Sequence, residues 1–531
     1  MFKNCISILL FLVIHSVCSQ SSPHKFLSSD FHKNRRSEVR AMLPKNSVAV
    51  FFANPTRNRS NDVDYHYHQD PNFYYLTGYK EPHAMLLLFS NDVSGVGEMI
   101  FVQPRNPLAE QWNGKRLGVE GVKQHLQIAE VYKNSEFKTS TVDFKNFDKV
   151  LFFDFKNDVR DSSNSADLYD LIQQFKEKTA FPDDFDASKQ QVYELIKSTD
   201  VENVANVAQT LGRTIKYNPT LKDDTLIRAF QKTTSEATRL EIKQKIAIKA
   251  SSTNLDAVFL PEIMGRLREV KSEEELVLLK KAIRISSIAQ QEVMKAMHPE
   301  LSETEIQGIH EFVYKKYGAA FEGYPSIVGG GNNGCILHYI QNDKPRVGDD
   351  LVLMDLGAEY GGYTADVTRT IPANGVFSPE QRIIYQLVFD AQEAGIRAAT
   401  VGAPFGSPGK VARDVIAKGL MDLEIISQLS DVSIYFPHGT SHYLGLDVHD
   451  PGTYATFKPN TVITVEPGIY IPENSNCDPK WWGIAVRIED DILITEDGPV
   501  NLSVIAPRTI EDIENLMKQS SPLDQFELPK L

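Results

Sequence analysis

The sequence predicts an α+β protein in which a smaller α/β domain precedes a larger catalytic one. Three observations carry this. The chain has 531 residues, more than one domain usually holds. Its second half alternates long amphipathic helices with strands joined by glycine turns, which points to helices on antiparallel sheet and not to a doubly wound parallel sheet. Its first half carries short apolar runs bounded by turn residues, the pattern of strands in a separate α/β unit.

From the amino terminus, Lys3, the apolar stretch Ile6 to Val17 and the small-residue site Val17-Cys18-Ser19 read as a secretory signal of residues 1–19. The mature chain is therefore expected to be secreted or periplasmic, and the apolar stretch is too short to leave a stable membrane span. Strands are expected at 47–53, 84–90, 98–103 and 150–155, and helices near 166–178 and 234–249. Between them, residues 156–235 are polar with weak periodicity and yield no chemistry.

The domain boundary falls within 255–270 and is placed so that residues 20–262 form the first domain and 263–531 the second. Just after it, Ser272-Glu273-Glu274-Glu275 reads as a capping box opening a helix through Met297. Further helices are expected at 303–317, 379–399 and 408–422, and no solenoid-type repeat occurs.

Charge and cysteine content narrow the function. The balance of 56 Lys and Arg against 70 Asp and Glu gives −14, which argues against a general nucleic-acid binder. The basic run Lys33-Asn34-Arg35-Arg36 reads as a solvated loop or helix face. Signal cleavage leaves Cys335 and Cys477, too few for a disulfide framework, so both are expected to be buried or unreactive thiols.

The chemistry lies in five residues: Asp355, Asp366, His442, Glu466 and Glu489. The four acids interrupt apolar, strand-like runs, where a buried carboxylate needs a cation to neutralise it. Flanking the Gly361-Gly362 turn, Asp355 and Asp366 are expected side by side across a hairpin. Arg487 and Glu489, two apart, share a strand face, which would also suit a simple surface ion pair. His442 ends a glycine-containing, strand-compatible His438-Gly-Thr-Ser-His442 run, with His338 and His449 in neighbouring turns. Four carboxylates and one imidazole make a hard donor set that favours a pair of divalent ions, Mn²⁺ first, with Co²⁺, Fe²⁺ or Zn²⁺ as alternatives. Hydrolysis is the reaction such a pair suits.

The blocks Asn333 to Tyr339, Met354 to Thr370, His438 to Asp450, Thr464 to Tyr470 and Arg487 to Asp491 resemble the pita-bread metallopeptidases, and among them aminopeptidase P, the Xaa-Pro aminopeptidases. Asn72 to Pro82 is similar to that family's amino-terminal domain. The resemblance implies a pita-bread catalytic domain and release of the first residue from peptides with proline second. It implies that Asp355 and Asp366 bind metal, that Asp366 and Glu489 bridge two ions, and that His442 and Glu466 complete the second site. Glu466 would also act as general base, while His338 and His449 would orient substrate and stabilise the tetrahedral intermediate. His438, Tyr470 and Arg487 match supporting positions. A homo-oligomer, dimer or tetramer, is implied, in which Trp112 of a neighbour closes part of the site; the alternative for Trp112 is an ordinary core or surface tryptophan. Residues 119–260 depart from the compact family pattern. Prolidase, acting on Xaa-Pro dipeptides, shares the five ligands, but Ser441 and the Tyr443-Leu-Gly-Leu-Asp-Val-His449 run look more like aminopeptidase P. A metal-free creatinase-like or binding relative would need lost ligands, and all five are present.

Overall fold

The computed structural model describes residues 26–93, 95–155, 167–250 and 253–525; the expected signal, 1–19, lies outside them. The first domain is built on a six-stranded mixed sheet. Its spatial order is Val131–Lys133, Glu98–Val102, Met85–Phe89, Ser47–Phe52, Lys149–Phe152 and Leu255–Asp256. Side chains alternate between its faces, as the two-residue strand period requires. Ala49, Phe51, Leu86, Leu88, Ile100 and Leu151 face one core, and Val48, Val50, Met85, Leu87, Phe101 and Val150 face another.

The opening helix Ser29–Met42 covers this sheet, and here the basic run departs from the expected solvated face. Arg36 is fully buried, donating to Glu98 (Nε to Oε2, 2.8 Å) and to the carbonyls of Leu76 and Gln127. Only Lys33 and Asn34 of the run face solvent. The pairing with Glu98, 62 residues away, is what allows the guanidinium inside.

Residues 187–250, largely within the stretch that showed weak periodicity, form four helices: Ala187–Ser198, Val204–Tyr217, Thr225–Lys232 and Glu236–Ala250. They enclose a small core that includes Val192, Ile196, Leu211, Ile227, Phe230 and Ile246. Each helix contributes only a few apolar residues to this core, so none could bury its apolar face alone.

In the second domain, helices Glu273–Ala296, Glu303–Lys316 and Pro379–Ala398 each open on a capping box, Ser272 with Glu275, Ser302 with Glu305 and Ser378 with Gln381. They pack with Ser407–Asp422 around antiparallel strands. One sheet joins Ile327–Gly330, Leu351–Leu356 and Val367–Pro372; a second joins Val462–Val465, Asp490–Thr495 and Gly498–Asn501; Gly468–Ile471 pairs with Ile484–Arg487. The helix Phe259–Arg268 spans the expected boundary, and the core beneath it is shared: Leu260 and Leu279 pack in one cluster with Phe51, Tyr75, Leu444 and Val462.

The Glu273–Ala296 helix reaches the centre of this domain through one polar residue. The buried Gln290 amide donates to the carbonyls of Met354 (3.1 Å) and Val367 (2.8 Å), the neighbours of Asp355 and Asp366. Gln290→Leu orphans both carbonyls, so urea unfolding is expected to show a loss of about 2 kcal/mol or more. An unchanged midpoint would contradict this.

Candidate metal centre

Three breaks between paired strands deliver most of the acids. Asp355 lies one residue from the end of Leu351–Leu356, opposite Thr368 and not opposite Asp366 as expected. Asp366 occupies the gap between Tyr363–Thr364 and Val367–Pro372, on the returning limb of the Gly361-Gly362 hairpin. The two acids still meet, because the Tyr324 hydroxyl lies 2.6 Å from Asp355 Oδ1 and 2.5 Å from Asp366 Oδ1. Glu466 follows Val462–Val465, with its backbone N–H donating to the Thr440 carbonyl at 2.8 Å. Glu489 sits between Ile484–Arg487 and Asp490–Thr495, where its N–H donates to the Thr368 carbonyl and its Oε2 accepts from Thr368 Oγ1 at 2.6 Å. Asp366, Glu466 and Glu489 therefore stand where ladders break, while Asp355 projects from within a paired strand.

His442 is held in a loop and not in the strand its flanking residues suggested; only the adjoining Tyr443 makes isolated bridges, to Asp450 and Ile463. Its Nδ1 faces the Tyr443 carbonyl at 3.0 Å and so carries the proton, which leaves the Nε2 lone pair directed at the acids. Nε2 lies 3.5 Å from Asp366 Oδ2 and 3.6 Å from Glu466 Oε1. Ligand atoms of Asp366, His442 and Glu489 all fall within 4.8 Å of one another.

Arg487 does not form the surface pair with Glu489 that remained open from sequence; both are buried. Its guanidinium donates to Asp355 Oδ2 (2.5 Å), Tyr470 Oη (2.8 Å) and Thr368 Oγ1 (3.3 Å). Tyr470 in turn lies 2.8 Å from His438 Nε2, whose Nδ1 is 2.7 Å from the Gly439 carbonyl and 3.7 Å from Glu466 Oε2. Arg487, Tyr470 and His438 thus form one chain running from Asp355 towards Glu466.

Electrostatics follow from four carboxylates sharing one guanidinium. Burial opposes ionisation of Asp355, but the Arg487 charge and the Tyr324 hydroxyl together hold it below its ordinary value. Burial and then the Asp355 charge push Asp366 well up, and burial with the Asp366 charge does the same to Glu489. Glu466 is pushed up to about 8 by burial and then by Glu489. Behind them Asp491, whose Oδ2 accepts from the Asp366 N–H, is raised by burial and by Asp366.

Converging oxygens, an imidazole lone pair pointed among them and too little positive charge fit divalent cations. The sign of the pH effect is fixed. Folded-state values for Asp366, Glu489 and Glu466 lie above the unfolded carboxylate range of about 4. Their contribution to stability is therefore full below that range and is lost as pH rises, through about 8 for Glu466. Metal-stripped protein should melt at progressively lower temperature from pH 5.5 to 8.5, and added Mn²⁺ should remove most of that fall; parallel curves with and without Mn²⁺ would contradict it.

The remaining residues lie around this centre. His449 is exposed and stacks on His442 with ring centroids 4.1 Å apart, and His338 is exposed on the loop after the Gly331–Cys335 turn. Trp112, on the helix Pro107–Asn113, is 88% exposed, so it is no core residue. Cys335 and Cys477 are unpaired, half-buried thiols, and burial pushes Cys335 up to about 12, in keeping with the unreactive reading. Sequence reasoning missed Tyr324, Thr368 and Gln290. None is charged, and only the Gly323-Tyr324-Pro325 turn before a strand hints at the first.

Comparison with known proteins identifies the family. Residues 277–496 match metallopeptidase family M24, and residues 32–151 match the aminopeptidase P amino-terminal domain. The chain is 33% identical to the Xaa-Pro aminopeptidase of Haemophilus influenzae over 506 residues, covering 92% of this chain and 98% of that one. It is 28% identical to human Xaa-Pro aminopeptidase 3, over 92% and 84% of the two chains. Among solved structures, Escherichia coli aminopeptidase P with the inhibitor Pro-Leu superposes with a TM-score of 0.71 at 28% identity, over 93% of this chain and 98% of that one. The Pseudomonas aeruginosa aminopeptidase PepP gives 0.73 at 28% identity, over 93% and 99%. With the pita-bread domain and the amino-terminal domain both matched, the chain belongs to the Xaa-Pro aminopeptidases of metallopeptidase family M24, and is a metallo-aminopeptidase.

Proposed function

We propose that this enzyme hydrolyses the bond between an amino-terminal residue and a following proline, using two divalent cations. The observation that carries the proposal is the convergence of Asp366, Glu466 and Glu489 on His442, with Asp355 joined to Asp366 through the Tyr324 hydroxyl and to the Arg487 guanidinium. Asp355, Asp366, His442, Glu466 and Glu489 would hold the ions, with Asp366 and Glu489 as the carboxylates that both ions would share. Mn²⁺ suits this oxygen-rich set best, with Co²⁺, Fe²⁺ or Zn²⁺ as alternatives. When bound, the ions polarise the scissile carbonyl and lower the pKa of water.

The chain's own groups supply the rest. Glu466 accepts the proton of the attacking water at its carboxylate and returns it to the departing proline nitrogen. His438 and Tyr470, 2.8 Å apart, flank Glu466 and tie its surroundings to Arg487, which fixes Asp355. His338 and His449, whose rings are exposed, donate to the substrate carbonyl, where charge develops. An Xaa-Pro bond has no N–H and a fixed φ, so a peptidase that reads ordinary backbone misses it, while a site that grips the ring and polarises the carbonyl does not.

The 88% exposure of Trp112 supports a homo-oligomer, dimer or tetramer, in which this residue closes the neighbour's cleft. Export to a periplasmic or extracellular compartment rests on the 1–19 leader. No described helix is long and apolar enough to cross a membrane. A peptide panel with Mn²⁺ tests the activity: Xaa-Pro-Xaa peptides should release their first residue and Xaa-Ala-Xaa controls should not. Cleavage confined to Xaa-Pro dipeptides would establish the prolidase alternative instead.

A further inference from the structure

The joint between the domains contains a buried ion cluster that the reaction does not use. Arg268, the last residue of helix Phe259–Arg268, is 1% exposed, as are Lys271 and Asp450. Arg268 donates to Asp450 Oδ1 (2.5 Å), Asp447 Oδ2 (2.7 Å) and, across the joint, Asn72 Oδ1 (2.7 Å). Lys271 donates to Asp450 Oδ2 (2.8 Å) and to the Arg268 carbonyl. Both oxygens of Asp450 are thereby engaged by cations from the joint, at a depth where losing one partner leaves a charge stranded.

Asp450 also closes the loop that carries the two site histidines. Its N–H donates to the Tyr443 carbonyl at 2.9 Å, and its Oδ1 accepts from the Asp447 N–H at 3.1 Å. Within the loop Gly445 admits no side chain, since a Cβ there would lie 2.5 Å from Asp450 Oδ2. The Gly445 carbonyl then accepts from the Thr364 N–H at 2.9 Å, two residues before Asp366. His442 and His449 stand at either end of this closed turn, stacked at 4.1 Å.

We infer that Arg268, Lys271 and Asp450 are positioning residues: they staple the 442–450 loop to the domain joint, so that Asn72 of the first domain and His442 and His449 of the second are set by one buried ion cluster. The inference rests on the metal-pair reading for what His442 does. It does not rest on it for how the loop is held.

The test uses the full chain with Lys271→Met and Arg268→Lys, each able to fill its site but not to make all the bonds. On metal-stripped protein, amide hydrogen exchange within 442–450 should accelerate while the strands Leu351–Leu356 and Ile484–Arg487 keep their protection. By calorimetry the Mn²⁺ Kd should rise about 10-fold or more. With an Xaa-Pro tripeptide, kcat should fall about 10-fold or more while KM stays within about threefold. Folded variants whose exchange, Mn²⁺ affinity and kcat all stay within about twofold of the parent, or that lose only Tm, overturn the inference. If Arg268→Lys does not fold, Asn72→Ala, which keeps every charge, should raise the Mn²⁺ Kd about threefold, and an unchanged Kd overturns the link to the first domain. A parent protein that binds no Mn²⁺ defeats the metal reading instead, and the exchange result alone then decides the staple.

Discussion

Glu466→Gln is expected to lower kcat on an Xaa-Pro tripeptide by about 10³-fold while KM changes little. The amide is nearly isosteric and leaves the Glu466 backbone bond to Thr440 in place, but it has no carboxylate to accept the proton from water. Burial and the Glu489 charge raise the parent carboxyl to about 8 in the metal-free protein, so its proton affinity is poised near neutrality. Steady-state kinetics with metal content measured on the same samples check the result. A variant that retains more than about a tenth of the parent kcat would assign the base elsewhere.

Asp366→Asn should act in two directions at once. Activity should fall by more than about 10³-fold, because the carboxylate at the centre of the donor set is gone. The metal-free protein should nevertheless become more stable at pH 8, with Tm rising by about 2 °C or more, because a carboxyl whose ionisation is opposed by burial and by the Asp355 charge is replaced by a group that never ionises. Differential scanning calorimetry with and without Mn²⁺ separates the effects: the parent should gain far more from Mn²⁺ than the variant. A variant destabilised without metal would mean that Asp366 is a structural carboxylate satisfied by its neighbours.

What the sequence made legible was residue type. Asp355, Asp366, Glu466 and Glu489 stand out because a carboxylate after a run such as Val462-Ile463-Thr464-Val465 is costly unless neutralised. Their relative geometry was only partly legible. The Gly361-Gly362 turn pairs Tyr360 with Tyr363, and the same register carried along the hairpin sets Asp355 opposite Thr368, so the two acids are not cross-strand partners and Tyr324 joins them. Arg36 reads as surface charge because nothing local shows that Glu98 will meet it. Among the helices of residues 187–250, Glu236–Ala250 matches the helix expected near 234–249, whereas the three before it were hidden for a different reason: their apolar residues meet only around a core that no one helix could bury. In contrast, the capped helices at Ser272, Ser302 and Ser378 could be read directly, since their start signals are complete within four residues. Tyr324, Thr368 and Gln290 act through pairs of hydrogen bonds to residues far along the chain, and such contacts leave no periodicity or charge pattern to read.

A titration of metal-stripped enzyme with Mn²⁺, following release of the first residue from an Xaa-Pro tripeptide, tests the two-ion centre most directly. The donor set predicts no turnover without metal and a plateau reached at two ions per chain. Turnover that persists after complete metal removal, or that saturates with no ion bound to the Asp366, His442 and Glu489 cluster, would contradict it.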